Sequence, residues 1–187
     1  IHFLQHISSN ENVCCVTNGT GKILLIGSNA MWTEYDIGNY ALHYSLCDGG
    51  KIVVFGADVV VIGKGLLGWD IKPGRTFLSA AYGREKWVAV EQGGKIFYTQ
   101  NPETGVWTEC YDGYKDGVKS IVYNNDMFVA FGSKTVLVST DAISWEKHKL
   151  GEDFNYVPSI TGGNFAWLVV ASSNLFKFGR LAPEWKQ

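Results

Sequence analysis

Residues 120–145 read SIVYNNDMFVAFGSKTVLVSTDAISW and contain three short runs of apolar residues, each followed by a polar segment. The apolar runs favour β-strands because β-branched and aromatic side chains pack well on a pleated surface. Asn, Asp, Gly and Ser in the segments between them are typical of tight turns. The tryptophan at the end, Trp145, opens a fourth run. The stretch therefore predicts a small antiparallel sheet of four strands.

The same order of runs and turns occurs five times along the chain, and each time it ends in a tryptophan. These residues are Trp32, Trp69, Trp107, Trp145 and Trp185, and successive members are 37, 38, 38 and 40 residues apart. Repeated four-stranded units are typical of β-propellers, in which each unit forms one blade. The repeat predicts an all-β fold, a five-bladed β-propeller with four antiparallel strands per blade and about 38 residues per repeat. We expect the five tryptophans to be buried in equivalent places between blades.

The whole chain, residues 1–187, is predicted to be a single propeller domain. Its blades are expected to cover about 1–38, 39–75, 76–116, 117–155 and 156–187. A hydrophobic fraction of 46% and a charged fraction of 18% are typical of a folded globular chain. We expect the ring to close by packing of the fifth blade on the first, with an exchange of strands between blades as the alternative.

The segment VSTDAISW, residues 138–145, resembles the Asp-box or BNR-type repeat, in which Ser, Asp and Trp mark the turn between the third and fourth strands. Similar short repeats occur in sialidase-like propellers and in propeller domains of phage tail proteins. The five-fold count is similar to that of tachylectin-type lectins. The resemblance implies that the Asp141 carboxylate accepts hydrogen bonds from backbone N–H groups and that Trp145 packs into the core. The segment is one residue shorter than the usual box and lacks its glycine.

The charge pattern argues against a surface for nucleic acids or an inserted membrane segment. The chain has 16 basic and 18 acidic residues, a formal net charge of -2 and only three arginines. Nucleic-acid binding needs a concentrated basic face, and no segment of the sequence supplies one. No apolar run approaches the roughly 18 residues that a membrane span needs. We therefore expect neither nucleic acid nor membrane as a partner.

The four cysteines, Cys14, Cys15, Cys47 and Cys110, have neither zinc-site spacing nor obvious disulfide partners. Cys14 and Cys15 are neighbours on a predicted strand, so their side chains point to opposite faces. We expect four free thiols, which favours synthesis in the cytoplasm and is compatible with a place in a virion. No metal and no cofactor are expected.

Catalysis is not expected, and we assign no catalytic residue. Glycosidase sites in propellers use carboxylates around the central channel, but the predicted inner strands carry His, Tyr, Ser and Lys instead. A sialidase-like site needs three arginines around one carboxylate, and Arg75 is predicted on the opposite face from Arg84 and Arg180. A sialidase-like glycoside hydrolase is kept as an alternative.

The best candidate for a ligand site is the face formed by the turns between second and third strands and by the connections between blades. Loops on a rigid scaffold commonly carry function, and the Asp-box-like turn occupies the other face. The longest connection places two tyrosines among carboxylates, a combination that suits stacking and hydrogen bonding to sugars. The candidate ligand-binding residues are Tyr111, Asp112, Tyr114, Asp116, Arg75, Asp58, Asp153 and Asn155.

These observations predict a non-enzymatic binding module that recognises glycans or a host-surface receptor. The alternative is a protein-interaction propeller or a structural propeller of virion type. Either function is compatible with membership of a larger assembly.

Overall fold

The computed structural model describes residues 4–64, 68–133 and 135–149, and the backbone of three further strands at 159–162, 166–171 and 174–179. Within these residues the regular structure is β-strand, apart from two 3-10 turns at Pro102–Thr104 and Tyr114–Asp116. In this part of the chain no helix has the length and apolar character that crossing a membrane requires.

The strands form antiparallel sheets that follow one another in chain order. The first sheet contains β1 (Leu4–Ser9), β2 (Val13–Asn18), β3 (Lys22–Gly27) and β4 (Trp32–Asp36). The second contains β5 (Leu42–Asp48), β6 (Lys51–Gly56), β7 (Val59–Gly63) and β8 (Trp69–Pro73). The third contains β9 (Phe77–Gly83), β10 (Lys86–Glu91), β11 (Ile96–Thr99) and β12 (Thr108–Tyr111).

The fourth sheet contains β13 (Ser120–Asn124), β14 (Met127–Phe131), β15 (Thr135–Ser139) and β16 (Glu146–Lys149). The described part of the fifth contains β17 (Ser159–Gly162), β18 (Ala166–Ala171) and β19 (Asn174–Gly179). The all-β propeller architecture predicted from the repeat is confirmed, because each complete sheet is an up-and-down meander of four strands.

Two-residue turns join the first and second strands of three sheets, and they have the left-handed backbone that tight hairpins require. In the second sheet this turn is Gly49-Gly50, with φ of 51° and 72°. In the fourth it is Asn125-Asp126, with φ of 50° and 61°. Arg84, with φ of 47°, and Glu85, with φ of 58°, adopt the same conformation in the third sheet. In the third sheet, the geometry of the hairpin therefore imposes a left-handed backbone on Arg84 and Glu85, where Gly or Asn is usual.

The core lies between the sheets, in one apolar cluster for each pair of neighbours among the first four. Between the first and second sheets, Cys15 and Ile23 pack against Val54 and Val61. The clusters at the next two junctions are also built from strand residues of both neighbouring sheets. Because both faces of an inner sheet are covered, its strands are apolar on both sides, as the run Val53, Val54 and Phe55 shows at 0% exposure.

The tryptophan prediction is confirmed for three positions and is wrong for one. Trp69, Trp107 and Trp145 each pack, partly buried, into the junction between their own sheet and the preceding one. Trp32 is 65% exposed, because no described strand packs closely on the corresponding face of the first sheet. Trp185 lies outside the described residues.

The first strands of the sheets lie side by side along the inside of the propeller. β1 packs on β5, β5 on β9, β9 on β13 and β13 on β17. Among the described strands, no comparable packing joins β17 to β1. Closure of the ring by the fifth blade is therefore not seen in the described residues, and the first sheet keeps an exposed apolar face.

Candidate functional site

A wide cleft of about 940 Å³ opens where the second and third sheets meet. Three segments surround it: the connection between the two sheets with the β6–β7 turn, the β10–β11 turn, and the residues just before β12. The lining residues are Asp58, Pro73, Gly74, Arg75, Thr76, Glu91, Gln92, Gly93, Gly105, Val106 and Trp107. Two of the residues predicted from the sequence, Asp58 and Arg75, lie in this cleft.

Backbone hydrogen bonds fix the connection that carries Arg75. On one side the Gly74 N–H donates to the Asp58 carbonyl at 2.9 Å. On the other side the Gln92 N–H donates to the Thr76 carbonyl at 2.9 Å. The connection is thus tied to a hairpin turn of each neighbouring sheet, so the floor of the cleft is held by both blades. Such support gives a binding surface the rigidity that lowers the entropic cost of association.

The Arg75 guanidinium is oriented by two contacts. Its Nη1 donates to Glu91 Oε1 at 2.7 Å, and its Cζ lies 4.4 Å from the centroid of the Phe97 ring. The Arg75 side chain is nevertheless 50% exposed, against 21% for Glu91. A guanidinium has five N–H donors, so the free edge of Arg75 can bind a carboxylate or a carbonyl that enters the cleft.

Asp58 stands in the β6–β7 turn with a left-handed backbone, φ 54°. Its Oδ1 accepts a hydrogen bond from the Thr76 hydroxyl at 3.0 Å, and its N–H donates to Thr76 Oγ1 at 3.2 Å. This reciprocal pair holds the carboxylate at the mouth of the cleft. A carboxylate still has lone pairs for a second donor, and Asp58 can therefore accept from a ligand.

The remaining part of the cleft is apolar. Val106 is 66% exposed, and the Trp107 ring next to it packs on Phe77 with 4.8 Å between ring centroids. Val106 follows Gly105, which has φ 71° and ends the 3-10 turn that precedes β12. The cleft thus combines an exposed apolar side chain with a cation and carboxylates.

A second group of predicted residues surrounds Asp116. Tyr111 Oη donates to Asp116 Oδ2 at 2.8 Å, the Lys147 ammonium pairs with Oδ1, and Thr135 Oγ1 donates to Oδ1 at 3.4 Å. Burial tends to raise the pKa of Asp116, but the hydrogen bonds from Lys147 and Tyr111 outweigh it and hold the pKa below its ordinary value. Burial, helped by the nearby Asp116 charge, raises the pKa of Tyr111 to about 12. The group is therefore a hydrogen-bonded network within the protein.

The two tyrosines of this region differ in their surroundings. Tyr111 is the last residue of β12, not a loop residue as expected, and its ring packs on the core between the third and fourth sheets. Tyr114 is 73% exposed, and its N–H donates to Asp112 Oδ1 at 3.3 Å. Tyr114 has the accessible ring that stacking on a ligand requires.

The β10–β11 turn lies between the cleft and the connection from β12 to β13, residues 112–119, here called the Tyr114 loop. Glu91, the last residue of β10 before this turn, contacts Arg75, while in the turn the Gly94 backbone approaches Gly113 so closely that a side chain at either position would clash. The structure therefore brings Asp58 together with Arg75, and Tyr111 together with Asp116, on two sides of one turn. The predicted residues Asp153 and Asn155 lie outside the described residues.

The turn that resembles an Asp-box lies between β15 and β16. Asp141 Oδ1 accepts from the N–H groups of Ile143 at 2.8 Å and Ser144 at 2.7 Å, and these bonds lower its pKa to about 2. Ala142, with φ 68°, occupies the position where a glycine is usual. Asp141 thus has the structural role that the resemblance implied.

In the described part of the chain, no three His, Cys, Asp or Glu side chains are grouped to hold a metal ion. Arg75 and Arg84 pair with different carboxylates, Glu91 at 2.7 Å and Asp126 at 3.9 Å. The third arginine, Arg180, lies outside the described residues. The two described arginines therefore do not share one carboxylate.

The fold, but no family, is shown by comparison with known proteins. No protein-family model matches the chain, and no curated protein matches it. Virginiamycin B lyase from Staphylococcus aureus superposes with a TM-score of 0.75 at 14% identity, over 96% of this chain and 70% of that chain. YCF48 from Cyanidioschyzon merolae gives a TM-score of 0.69 at 14% identity, over 97% and 68%. YCF48 bound to D1 peptide gives 0.62 at 12% identity, over 90% and 64%.

These structural neighbours are β-propeller proteins, which places the chain in the β-propeller class. One neighbour is a lyase and another is bound to a peptide, so the architecture alone does not select between catalysis and binding. No comparison bears on the Asp-box, phage-tail or lectin resemblance, which rests on the sequence alone.

Proposed function

We propose that this propeller is a binding module that holds a segment of a partner protein in the cleft around Arg75, without catalysing a reaction. The observation that carries the proposal is the half-exposed Arg75 guanidinium, fixed by Glu91 and Phe97 in an open cleft of about 940 Å³. A cation with a fixed orientation loses little side-chain entropy when it binds a carboxylate.

The remaining cleft residues suit a peptide more than a compact small molecule. Val106 offers an exposed apolar contact, and Asp58 and Gln92 offer polar groups on the other side. Arginines and aromatic residues are enriched among the side chains that dominate protein interfaces. YCF48, a neighbour in fold, has been solved bound to a peptide, which supports the protein-interaction function. The expected ligand is an extended segment with at least one acidic residue and one apolar residue.

A displayed library of random peptides tests this proposal. We expect selection on the whole chain to enrich acidic peptides, and Arg75→Ala to weaken their binding at least about ten-fold. Lys72→Ala is the matched control, because Lys72 is a nearby, partly exposed cation that does not line the cleft. Mass spectrometry should recover the bound peptide unchanged.

Failure to enrich any peptide, or equal loss of affinity in both variants, would contradict the proposal. Cleavage or other conversion of the bound peptide would contradict its non-enzymatic part.

Glycan recognition is the second candidate, and it is favoured by the exposed Tyr114 ring beside Asp112. Stacking of a sugar on an aromatic face with a carboxylate next to it is a common mode of binding. A glycan array probed with the parent chain should then show signals that Tyr114→Ala abolishes. Ile143→Ala, at another exposed apolar side chain, is the control. An array without signal would eliminate this candidate and leave the peptide proposal untouched.

A further inference from the structure

A buried polar cluster lies between the first and second sheets, away from the cleft. It contains His6 and Ser8 of β1, Cys15 of β2, and Ser45 and Cys47 of β5. Cys15 is 0% and Cys47 4% exposed. Polar side chains in a core need hydrogen-bond partners, and His6, Ser8, Ser45 and Cys47 find theirs across the junction.

The hydrogen bonds place the Cys47 sulfur against β1. Cys47 Sγ lies 3.3 Å from Ser8 Oγ and 3.8 Å from the Ser8 carbonyl. Ser8 Oγ donates to Ser45 Oγ at 2.9 Å, and His6 Nδ1 lies 3.2 Å from the same Ser45 oxygen. The position of Cys47 in the second sheet is thus fixed relative to the first.

Cys15 is directly next to this position. In the pairing of β1 with β2, Ser8 is the partner of Cys15, so the residue that contacts Cys47 lies opposite Cys15. Both cysteines belong to the same buried cluster, and both lie next to Ser8, which pairs with Cys15 in the sheet and has its Oγ 3.3 Å from Cys47 Sγ. The sequence alone does not pair these cysteines, because they belong to different repeats and come together only when the blades pack.

The surroundings of the two thiols shift their pKa values in opposite directions. A hydrogen bond from Cys15, helped by Ser8, lowers the pKa of Cys47. The same hydrogen bond and burial raise the pKa of Cys15. The thiolate is the nucleophile in thiol–disulfide exchange, and Cys47 is therefore the thiol that reacts first.

We propose that Cys15 and Cys47 are a redox-active thiol pair, which a low-molecular-weight disulfide oxidises to a disulfide bond between the first and second blades. The geometry points to this modification because the two thiols, from neighbouring blades, are buried in one cluster on either side of Ser8. Cys14 faces the other side of β2 and Cys110 lies in the third sheet, so neither competes for the same partner.

Each step of the reaction is a thiol–disulfide exchange. The Cys47 thiolate attacks one sulfur of glutathione disulfide, a mixed disulfide forms, and one glutathione thiolate leaves. Cys15 then gives up its proton and attacks the Cys47 sulfur, and the second glutathione thiolate leaves. The protein loses two hydrogen atoms, and one glutathione disulfide is reduced to two glutathione molecules.

Access to the buried pair requires β1 to separate from β5. β1 is an edge strand of its sheet, and Leu4 and Ile7 on its other face are 73% and 64% exposed. A strand with few buried side chains opens at low free-energy cost. The resulting disulfide would close this junction covalently and restrict that opening.

The test is incubation of the whole chain in glutathione buffers of increasing oxidised fraction, followed by alkylation of the unfolded protein and peptide mass mapping. Cys14→Ser is the background, because Cys14 and Cys15 lie in the same tryptic peptide, 1–22. We expect a cross-link between peptides 1–22 and 23–51, a mass lower by two hydrogens, and a rise in Tm on oxidation.

Single variants separate the roles of the two thiols. In the Cys14→Ser background, Cys15→Ser should leave glutathione attached to Cys47, and Cys47→Ser should leave Cys15 unmodified. Cys110→Ser is the matched control, and it should form the cross-link as the background does. Two free thiols at positions 15 and 47 in fully oxidised buffer, or a cross-link from either one to Cys110, would overturn the proposal.

Discussion

The Trp69 ring lies edge-on against the Tyr35 ring of the preceding sheet, with 5.5 Å between ring centroids and 75° between their planes. Trp32, which has the same place in the first repeat, is 65% exposed. We therefore expect Trp69→Ala to lower the free energy of unfolding by roughly 2–4 kcal/mol, because it leaves a cavity between two blades. Trp32→Ala should change it by less than about 1 kcal/mol.

Chemical denaturation of both variants beside the parent chain measures this difference. Equal losses of stability would show that the first sheet is covered by another blade in solution, contrary to the exposed position of Trp32. The comparison thus tests in one experiment the packing of Trp69 between the first two blades and the exposure of Trp32 on the other face of the first sheet.

The repeat made most of this fold predictable, because hydrophobic runs and turns recur at one period and fix the strands, their order and their antiparallel pairing. The burial of Trp69 followed from the same period. The exposure of Trp32 did not follow from this period. A repeated residue indicates an equivalent place within its blade, but not whether a neighbouring blade covers that place. Side chains that meet across a junction are the part of a propeller that a single sequence reveals least.

The contact between the third and fourth sheets gives a second prediction. Gly83 ends β9 against the Tyr123 ring, and a Cβ at this position would overlap the ring. Gly83→Ala should therefore destabilise the protein by about 1–3 kcal/mol, because the ring or the sheet must shift. Gly93→Ala is the control, since its Cβ would meet only the Glu91 carboxylate, 3.9 Å away. Thermal unfolding gives the Tm of each variant. Equal Tm values would contradict the close packing of Gly83 on the Tyr123 ring.

The Asp141 turn predicts a dependence of stability on pH. N–H groups of Ser144 and Ile143 lower the pKa of Asp141 to about 2 in the folded chain, below the roughly 3.9 of an unfolded aspartate. Its ionised form therefore stabilises the fold fully above about pH 4, and this contribution is lost as the pH falls towards 2. Asp141→Asn should thus have a lower Tm than the parent at pH 6, and the gap should narrow on acidification. Glu85→Gln, at an exposed turn, is the control for the loss of an acidic side chain. A gap in Tm between Asp141→Asn and the parent that does not change with pH would contradict the role of the Asp141 charge.

The candidate site was predictable only in part. Asp58 and Arg75 could be placed on one face because turns and connections of a propeller alternate between its two ends. Glu91, the partner of Arg75, closes a strand of the next blade and had no signal of its own in the sequence. Trp107 was assigned to the core, and it serves both the core and the wall of the cleft. A residue with two such roles is visible only when the packing around it is known.

Tyr111 and Tyr114 were expected to act together as one stacking surface, and their different environments predict that mutations will separate them. Tyr111→Ala removes a ring from the core and a hydrogen bond to the Asp116 carboxylate, so it should cost about 2–4 kcal/mol of stability. Tyr114→Ala removes a ring that is 73% exposed and should stay within about 0.5 kcal/mol of the parent.

Tyr111→Phe isolates the hydrogen bond from the packing of the ring. It should cost about 1–3 kcal/mol, because the Asp116 carboxylate loses a donor while Lys147 still neutralises it. Urea unfolding of the three variants gives the free energies. If Tyr111→Phe had the same free energy of unfolding as the parent, the hydrogen bond would contribute nothing to stability, and the Tyr111 hydroxyl would be available to a ligand. If Tyr114→Ala were the more destabilised variant, the Tyr114 loop would pack on the protein, and it could not offer a stacking surface.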